Sequence, residues 1–182
     1  YIGINNHEID LIAPFIEALK CENVKNSYRL ILYGNTISNE KWNQLGLSEI
    51  AEYRGWLDYS KDVSTLKDID VFLQLLDDNN VSKAGWPNKL GDYLAFGKPV
   101  ILSPYGDIID FVKNEKGFFI VEYNKYSILK NLQEIKDIPY SDLKTMGYAN
   151  RQLAEKISWK NRAKNIEYIC NKIRFNNETV KN

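Results

Sequence analysis

The 182 residues include two cysteines, one histidine and one methionine, and each scarcity removes a class of chemistry. Cys21 and Cys170 form no CxxC pair and have no histidine near them. That argues against a zinc site and against a disulfide framework, and it suits free thiols in a reducing, cytoplasmic compartment. No Ser-His-Asp, Cys-His or metal-ligand cluster stands out, and no GxGxxG suggests a dinucleotide. Charge of one sign is also lacking: Lys+Arg and Asp+Glu are equal at 24 each. No global field therefore favours nucleic acid or an anionic membrane, and any anion site must be local. No apolar run approaches the roughly 20 residues that span a bilayer, and no charged start followed by an apolar stretch suggests a signal peptide. The pattern is that of a soluble chain without internal repeats or low-complexity linkers.

What is present is apolar residues, 44% of the total, ample for the core of one domain or at most two small ones. Tyr28–Tyr33 (YRLILY), Val71–Leu76 (VFLQLL), Val100–Leu102 (VIL) and Phe118–Val121 (FFIV) are short apolar runs bounded by Gly, Asn, Asp or Pro, and they read as strands. Tyr1–Ile4 and Ala51–Arg54 are weaker strand candidates. Between them, Ile9–Cys21 places Ile9, Ile12, Ile16 and Leu19 on one face of a helix in which Pro14 is a fault. Ser60–Lys67, Pro87–Phe96 and Asp107–Lys113 also read as helices. Strands alternating with helices imply right-handed βαβ units, so a doubly wound, Rossmann-like α/β fold with a parallel sheet of about six strands is expected. Beyond Val121 the pattern is helical only, over Tyr126–Ile135, Ser141–Ile157 and Trp159–Ile173. One domain over residues 1–175 and a polar, frayed tail over 176–182, foreshadowed from Arg174, are expected. Tyr1 already lies within a strand, which suggests a piece of a longer polypeptide.

The stretch GWPNKLGDYLAFGKPVI (Gly85–Ile101) is the most informative. Pro87 suits the first position of a helix and Gly97 the position just past its end, yet Trp86 offers no oxygen to cap the first N–H groups. In open α/β sheets ligands bind beyond the carboxyl ends of the strands, where a helix start meets an anion. Asn88, Lys89 and Leu90 would present free N–H groups to a phosphate, and Lys89 adds a cation. Asp92 lies on the same face, roughly 7 Å of helix beyond Pro87 at about 1.5 Å per residue, a span that suits a carboxylate on ribose hydroxyls while the helix start holds a diphosphate. The plainer reading leaves Asp92 as a favourable charge near a helix start and Lys89 as a solvated side chain.

PNKLGDYLAFGKPVI, together with YIG at the start, LILYG in the second strand, YRGWL after the third and SW near the end, resembles the nucleotide-sugar domain of family-4 retaining glycosyltransferases of GT-B fold. The resemblance runs in order from Tyr1 to about Ile173. It implies the C-terminal half of a two-domain enzyme that transfers a sugar from a nucleotide-diphosphate donor with retention of configuration, most often in polysaccharide or glycoconjugate synthesis. It also implies no metal or other cofactor, and an N-terminal acceptor-binding domain of the same enzyme as partner. Any membrane association would come only through that other half.

By the resemblance, Asp92 falls on the second, ribose-binding acid of the E-x7-E motif. Arg54, Gly55 and Trp56 fall on the loop that edges the base, Gly85, Trp86 and Pro87 on the loop facing diphosphate and sugar, and Gly97, Lys98 and Pro99 on a structural turn. Gly3 and His7 belong to the first-strand loop. His7 is either a ligand of a phosphate or the sugar, sensitive to pH near neutrality, or an ordinary surface residue. The tyrosines and tryptophans read as packing, with Trp56 and Tyr59 near the base pocket as exceptions. Three departures stand out: Ala84 replaces the first acid of the motif, and Ile4-to-Asp10 lacks both the Arg and the Lys usual in the first loop. Compensation for a diphosphate then falls to Lys89, Lys83, Arg54 or the other half. These departures keep open a second reading, a non-catalytic domain of this fold that has lost its donor chemistry. An epimerase of the same architecture is a weaker third.

Overall fold

Pro14 divides the first expected helix. In the computed structural model, which describes residues 1–61 and 63–179, β1 (Ile2–Ile4) is followed by α1 (Glu8–Leu11) and, after a break at Ile12, by α2 (Ala13–Leu19). Pro14 sits in the first turn of α2, where a missing N–H costs nothing. There follow β2 (Leu30–Gly34), α3 (Asn39–Gln44), a 3-10 turn at Leu47–Glu49, β3 (Ala51–Tyr53), a 3-10 turn at Val63–Leu66, β4 (Phe72–Gln74), α4 (Asn80–Ala84), α5 (Asn88–Ala95), β5 (Val100–Leu102), α6 (Asp107–Val112), β6 (Phe118–Ile120) and the helices α7 (Lys125–Ile135), α8 (Tyr140–Lys156) and α9 (Trp159–Thr179).

Two helices arise in segments that apolar periodicity leaves as loop. Ser38 Oγ accepts from the Lys41 N–H to open α3, and Asn79 Oδ1 accepts from the Ser82 N–H to open α4; local capping supplies what a weak apolar stripe does not. Conversely, the helix expected over Ser60–Lys67 is reduced to the 3-10 turn, with Asp62 outside the described residues. The helix α9 continues through the segment expected to fray as far as Thr179, and 180–182 of the expected tail lie outside the described residues.

All strand pairs are parallel, β1 with β2 and β2 with β3 in one sheet, β4 with β5 and β5 with β6 in another. The six expected strands are therefore present in two three-stranded sheets. The physical reason lies at Tyr93 of α5. Its hydroxyl accepts from the Ile2 N–H at 3.1 Å, so this donor of β1 is satisfied by a side chain and not by β4. The ring stacks on Phe72 of β4, with centroids 4.3 Å apart and planes 4° from parallel.

Side-chain packing joins what the hydrogen bonds leave apart. On one face Ile4, Leu32, Leu73 and Ile101 pack with Ile16 of α2 and Leu132 of α7. On the other, Ile2, Tyr33, Phe72 and Val100 pack with Leu90 of α5 and Ile108 of α6. Each cluster draws on both sheets, so the six strands act as one layer between helices, the doubly wound α/β arrangement. Behind it, α8 rests on the turn between α5 and β5. Gly147 lies so close to the Gly97 carbonyl that a Cβ would overlap it, and the buried Asn150 amide donates to the Lys98 and Gly117 carbonyls, at 2.8 Å each. No helix among the described residues is long and apolar enough to cross a membrane.

Candidate functional site

The start of α5 lies beside the carboxyl end of β1. Pro87, with φ −69° and ψ 111°, occupies the cap position and α5 begins one residue later than expected, at Asn88; no side chain caps it. Leu90 corrects the sequence reading: its N–H is not free, because it donates to the Pro87 carbonyl at 2.9 Å, and its side chain is in the core at 0% exposure. The N–H groups of Asn88 and Lys89 remain, for which helix geometry provides no internal acceptor.

Lys89 reaches back from α5 over the first strand. Its ammonium lies 3.1 Å from Glu8 Oε2 and donates to the Tyr1 hydroxyl at 3.1 Å, 4.6 Å from the centroid of the Tyr1 ring. A Cβ at residue 3 would stand 2.9 Å from Lys89 Cε. Gly3, with φ +83°, is thus required twice, for its backbone and for the space that the lysine stem fills. The first loop holds no cation of its own, and the structure brings one to its foot from α5. Glu8 was not singled out by the sequence. It also accepts from the Tyr1 hydroxyl at 2.6 Å, and burial together with this carboxylate pushes the Tyr1 phenol far above its usual range.

Asp92, one turn along α5, is exposed, and its Oδ2 accepts from the Tyr59 hydroxyl at 3.1 Å. Tyr59 comes from the loop after β3, so the acid of α5 and the loop expected to edge the base do meet. Burial, then the charge of Asp92, pushes the Tyr59 phenol up to about 12. Arg54 and Trp56 of that loop line a different groove of about 570 Å³, together with Tyr33 and Lys67 among others. Trp56 is 70% exposed. The Arg54 guanidinium is engaged by Glu52 at 2.8 Å and Asp68 at 2.9 Å and donates to the Tyr33 hydroxyl at 3.3 Å. Gly55, at φ +76°, accepts from the Gly34 N–H at 2.8 Å.

The remaining candidates are dispersed. His7 is exposed at the cap of α1, its backbone N–H bonded to Asn5 Oδ1 at 2.8 Å. Trp86, next to the exposed Gly85, packs edge-on against Phe111 of α6 at 4.8 Å and lies 6.0 Å from the guanidinium of Arg162 in α9. Ala84 is exposed at the end of α4, and Lys83 pairs with Asp78 at 2.5 Å. Gln74, at the end of β4, escaped the sequence reading because a strand interior was expected there; its Oε1, like the Oδ1 atoms of Asn131 and Asn150, is buried without a partner among the described residues. No group of three or more His, Cys, Asp or Glu side chains among the described residues could hold a metal ion. A further groove of about 510 Å³ opens among Leu30, Ile31, Phe72 and Leu73, at the opposite, amino ends of β2 and β4.

A parallel doubly wound layer with an uncapped helix start and a lysine at the carboxyl ends of its strands is a Rossmann-like architecture, the arrangement in which a helix start can meet an anion. Residues 12–153 match the family model described as glycosyl transferases group 1, and the chain belongs to that family. Among solved structures it is similar to GT-B glycosyltransferases. Sucrose-phosphate synthase from Thermosynechococcus elongatus is 14% identical with a TM-score of 0.71, over 94% of this chain and 44% of that one. HepE from Anabaena, in complex with UDP, is 14% identical with a TM-score of 0.63, over 85% of this chain and 43% of that one. TarM from S. aureus, in a complex that includes UDP, is 16% identical with a TM-score of 0.59, over 86% and 32%. The chain spans less than half the length of these structures. No curated protein matches it.

Proposed function

We propose that this chain is the donor-nucleotide half of a retaining, family-4 glycosyltransferase that moves a sugar from a nucleotide-diphosphate donor to an acceptor, in cytoplasmic polysaccharide or glycoconjugate synthesis. The observation that carries this is the uncapped start of α5 with Lys89 laid over Gly3 and Asp92 one turn beyond. The N–H groups of Asn88 and Lys89 and the Lys89 ammonium would meet the diphosphate, and their contribution would be electrostatic, to charge building on the leaving group. Asp92, with Tyr59 holding one carboxylate oxygen, would accept ribose hydroxyls. The UDP complexes of HepE and TarM support a diphosphate ligand of this kind. No metal is required, and the acceptor would come from an N-terminal half of the same enzyme, through which any membrane association would arise.

Titration of the chain with UDP, GDP and ADP by calorimetry or NMR tests this, with binding and shifts near Asp92 expected for at least one. Asp92→Ala is expected to weaken that ligand about tenfold, in line with hydrogen bonds to charged groups, and to abolish discrimination against its 2',3'-dideoxy analogue. Lys89→Ala is expected to weaken UDP far more than uridine, which lacks the phosphates. Ala84 at the first motif acid and the lack of a cation within the first loop favour a non-catalytic domain, and silence with all three diphosphates would turn the reading that way.

A further inference from the structure

The Lys89 ammonium is not a bare charge. Glu8 opens α1, immediately after the first-strand loop, and its Oε2 takes both the ammonium, at 3.1 Å, and the Tyr1 hydroxyl, at 2.6 Å. Burial works against its charge, but the Tyr1 hydroxyl and the Lys89 ammonium, with His7 near by, outweigh it and hold the Glu8 carboxyl below the usual carboxylate range. Glu8 is therefore an anion at neutral pH, yet 30% of its side chain is open to solvent. Of the three ammonium protons of Lys89, two have partners among the described residues. The third has no hydrogen-bond partner among the described residues, and 29% of the Lys89 side chain is open to solvent.

A phosphate oxygen taken by that proton would have only the ammonium between itself and Glu8, a separation of about 5 Å at ordinary hydrogen-bond lengths and the tetrahedral angle of the ammonium. Repulsion across that gap grows with the charge of the ligand. A diphosphate esterified at both ends, as in a nucleotide sugar, carries about two negative charges, whereas a free nucleoside diphosphate, whose terminal phosphate has a second pKa near 6, carries about three.

We propose that Glu8 sets the specificity of this site by charge, weakening its hold on the free nucleoside diphosphate more than on the sugar ester. The inference rests on the donor reading above. Substrate and product of the proposed transfer differ at the phosphates by this one ionisation, and the carboxylate stands where it is sensed. Glu8 would thereby favour departure of the product without touching the sugar.

The test compares dissociation constants of UDP and UDP-glucose, and of the matched guanosine and adenosine pairs, for the wild-type chain and Glu8→Gln, by calorimetry at about pH 8, where the terminal phosphate is ionised. Glutamine keeps the size of the side chain and an acceptor for Tyr1. Glu8→Gln is expected to tighten the free diphosphate about fivefold and the sugar ester about twofold, with the difference shrinking as salt is added. Glu8→Asp, which keeps the charge, should retain the wild-type ratio and guards against an effect of altered packing. An equal change for both ligands, or a loss for both, would overturn the inference and leave Glu8 as a support for Lys89. A wild-type chain that binds none of the six ligands would remove the donor reading, and this inference with it.

Discussion

Tyr93 answers for a single backbone donor. Its ring would stack on Phe72 equally well as phenylalanine, but the Ile2 N–H it serves is buried, and a buried donor left without a partner costs about 1–3 kcal/mol. Tyr93→Phe should therefore lower the free energy of unfolding by that amount, seen as a lower denaturant midpoint with the slope unchanged; an unaltered midpoint would mean that Ile2 finds another acceptor. The same residue explains why the single expected sheet is two. Strand pattern shows which residues alternate, but nothing in it marks a helix side chain as the acceptor for a strand edge. Glu8 was equally illegible, since its partner Lys89 is 81 positions away and a distant ion pair leaves no local spacing. Leu90 shows the opposite limit: the helix start was readable, but which of its N–H groups turns back onto Pro87 is a matter of local dihedral angles.

At the scale of elements, punctuation was the legible part. Gly97, at φ +65°, closes α5 as its position suggested, and Pro14 broke the first helix where its ring had to. β5 kept its expected bounds and β2 reached Gly34, one residue past its run, while the other strands fell within their runs and were shorter, because pairing ends where the chain turns, not where apolar residues stop. Less visible was the seat of α8. Gly147 reads as an ordinary weakness in a helix, yet it lets α8 touch the backbone of the turn at Gly97. Helix propensity alone would make Gly147→Ala stabilising by up to about 1 kcal/mol; the overlap with the Gly97 carbonyl cannot be relieved by a side-chain rotation and should dominate, for a net loss of about 1–3 kcal/mol. Thermal unfolding decides between the two signs. A higher melting temperature for Gly147→Ala would show that α8 can slide away from its seat at little cost.

For the whole molecule, the tyrosines tie stability to alkaline pH. Burial is the leading cause that pushes the phenols of Tyr28 and Tyr59 up to about 12, and those of Tyr1 and Tyr93 further. A phenol raised in the fold favours the neutral form, so its contribution is complete below the ordinary tyrosine value of about 10 and is lost as pH rises through the folded values. Titration by tyrosinate absorbance should show the phenols of Tyr1, Tyr28, Tyr59 and Tyr93 ionising only as the fold is lost, whereas in strong denaturant all 12 tyrosines should titrate together; a single ordinary transition in the native chain would refute this. The contact between Ile2 and Tyr93 also has a kinetic side. β1 meets β2 across a separation of 30 residues, through the Tyr1 amino group and the Ile31 carbonyl, but meets α5 across 91. Loop-closure entropy rises so slowly with length that the longer closure costs only about 1 kcal/mol more. Order of assembly is then set less by entropy than by readiness: the first strand can join its neighbour at once, while its other edge must wait until α5 is wound and its tyrosine is in place.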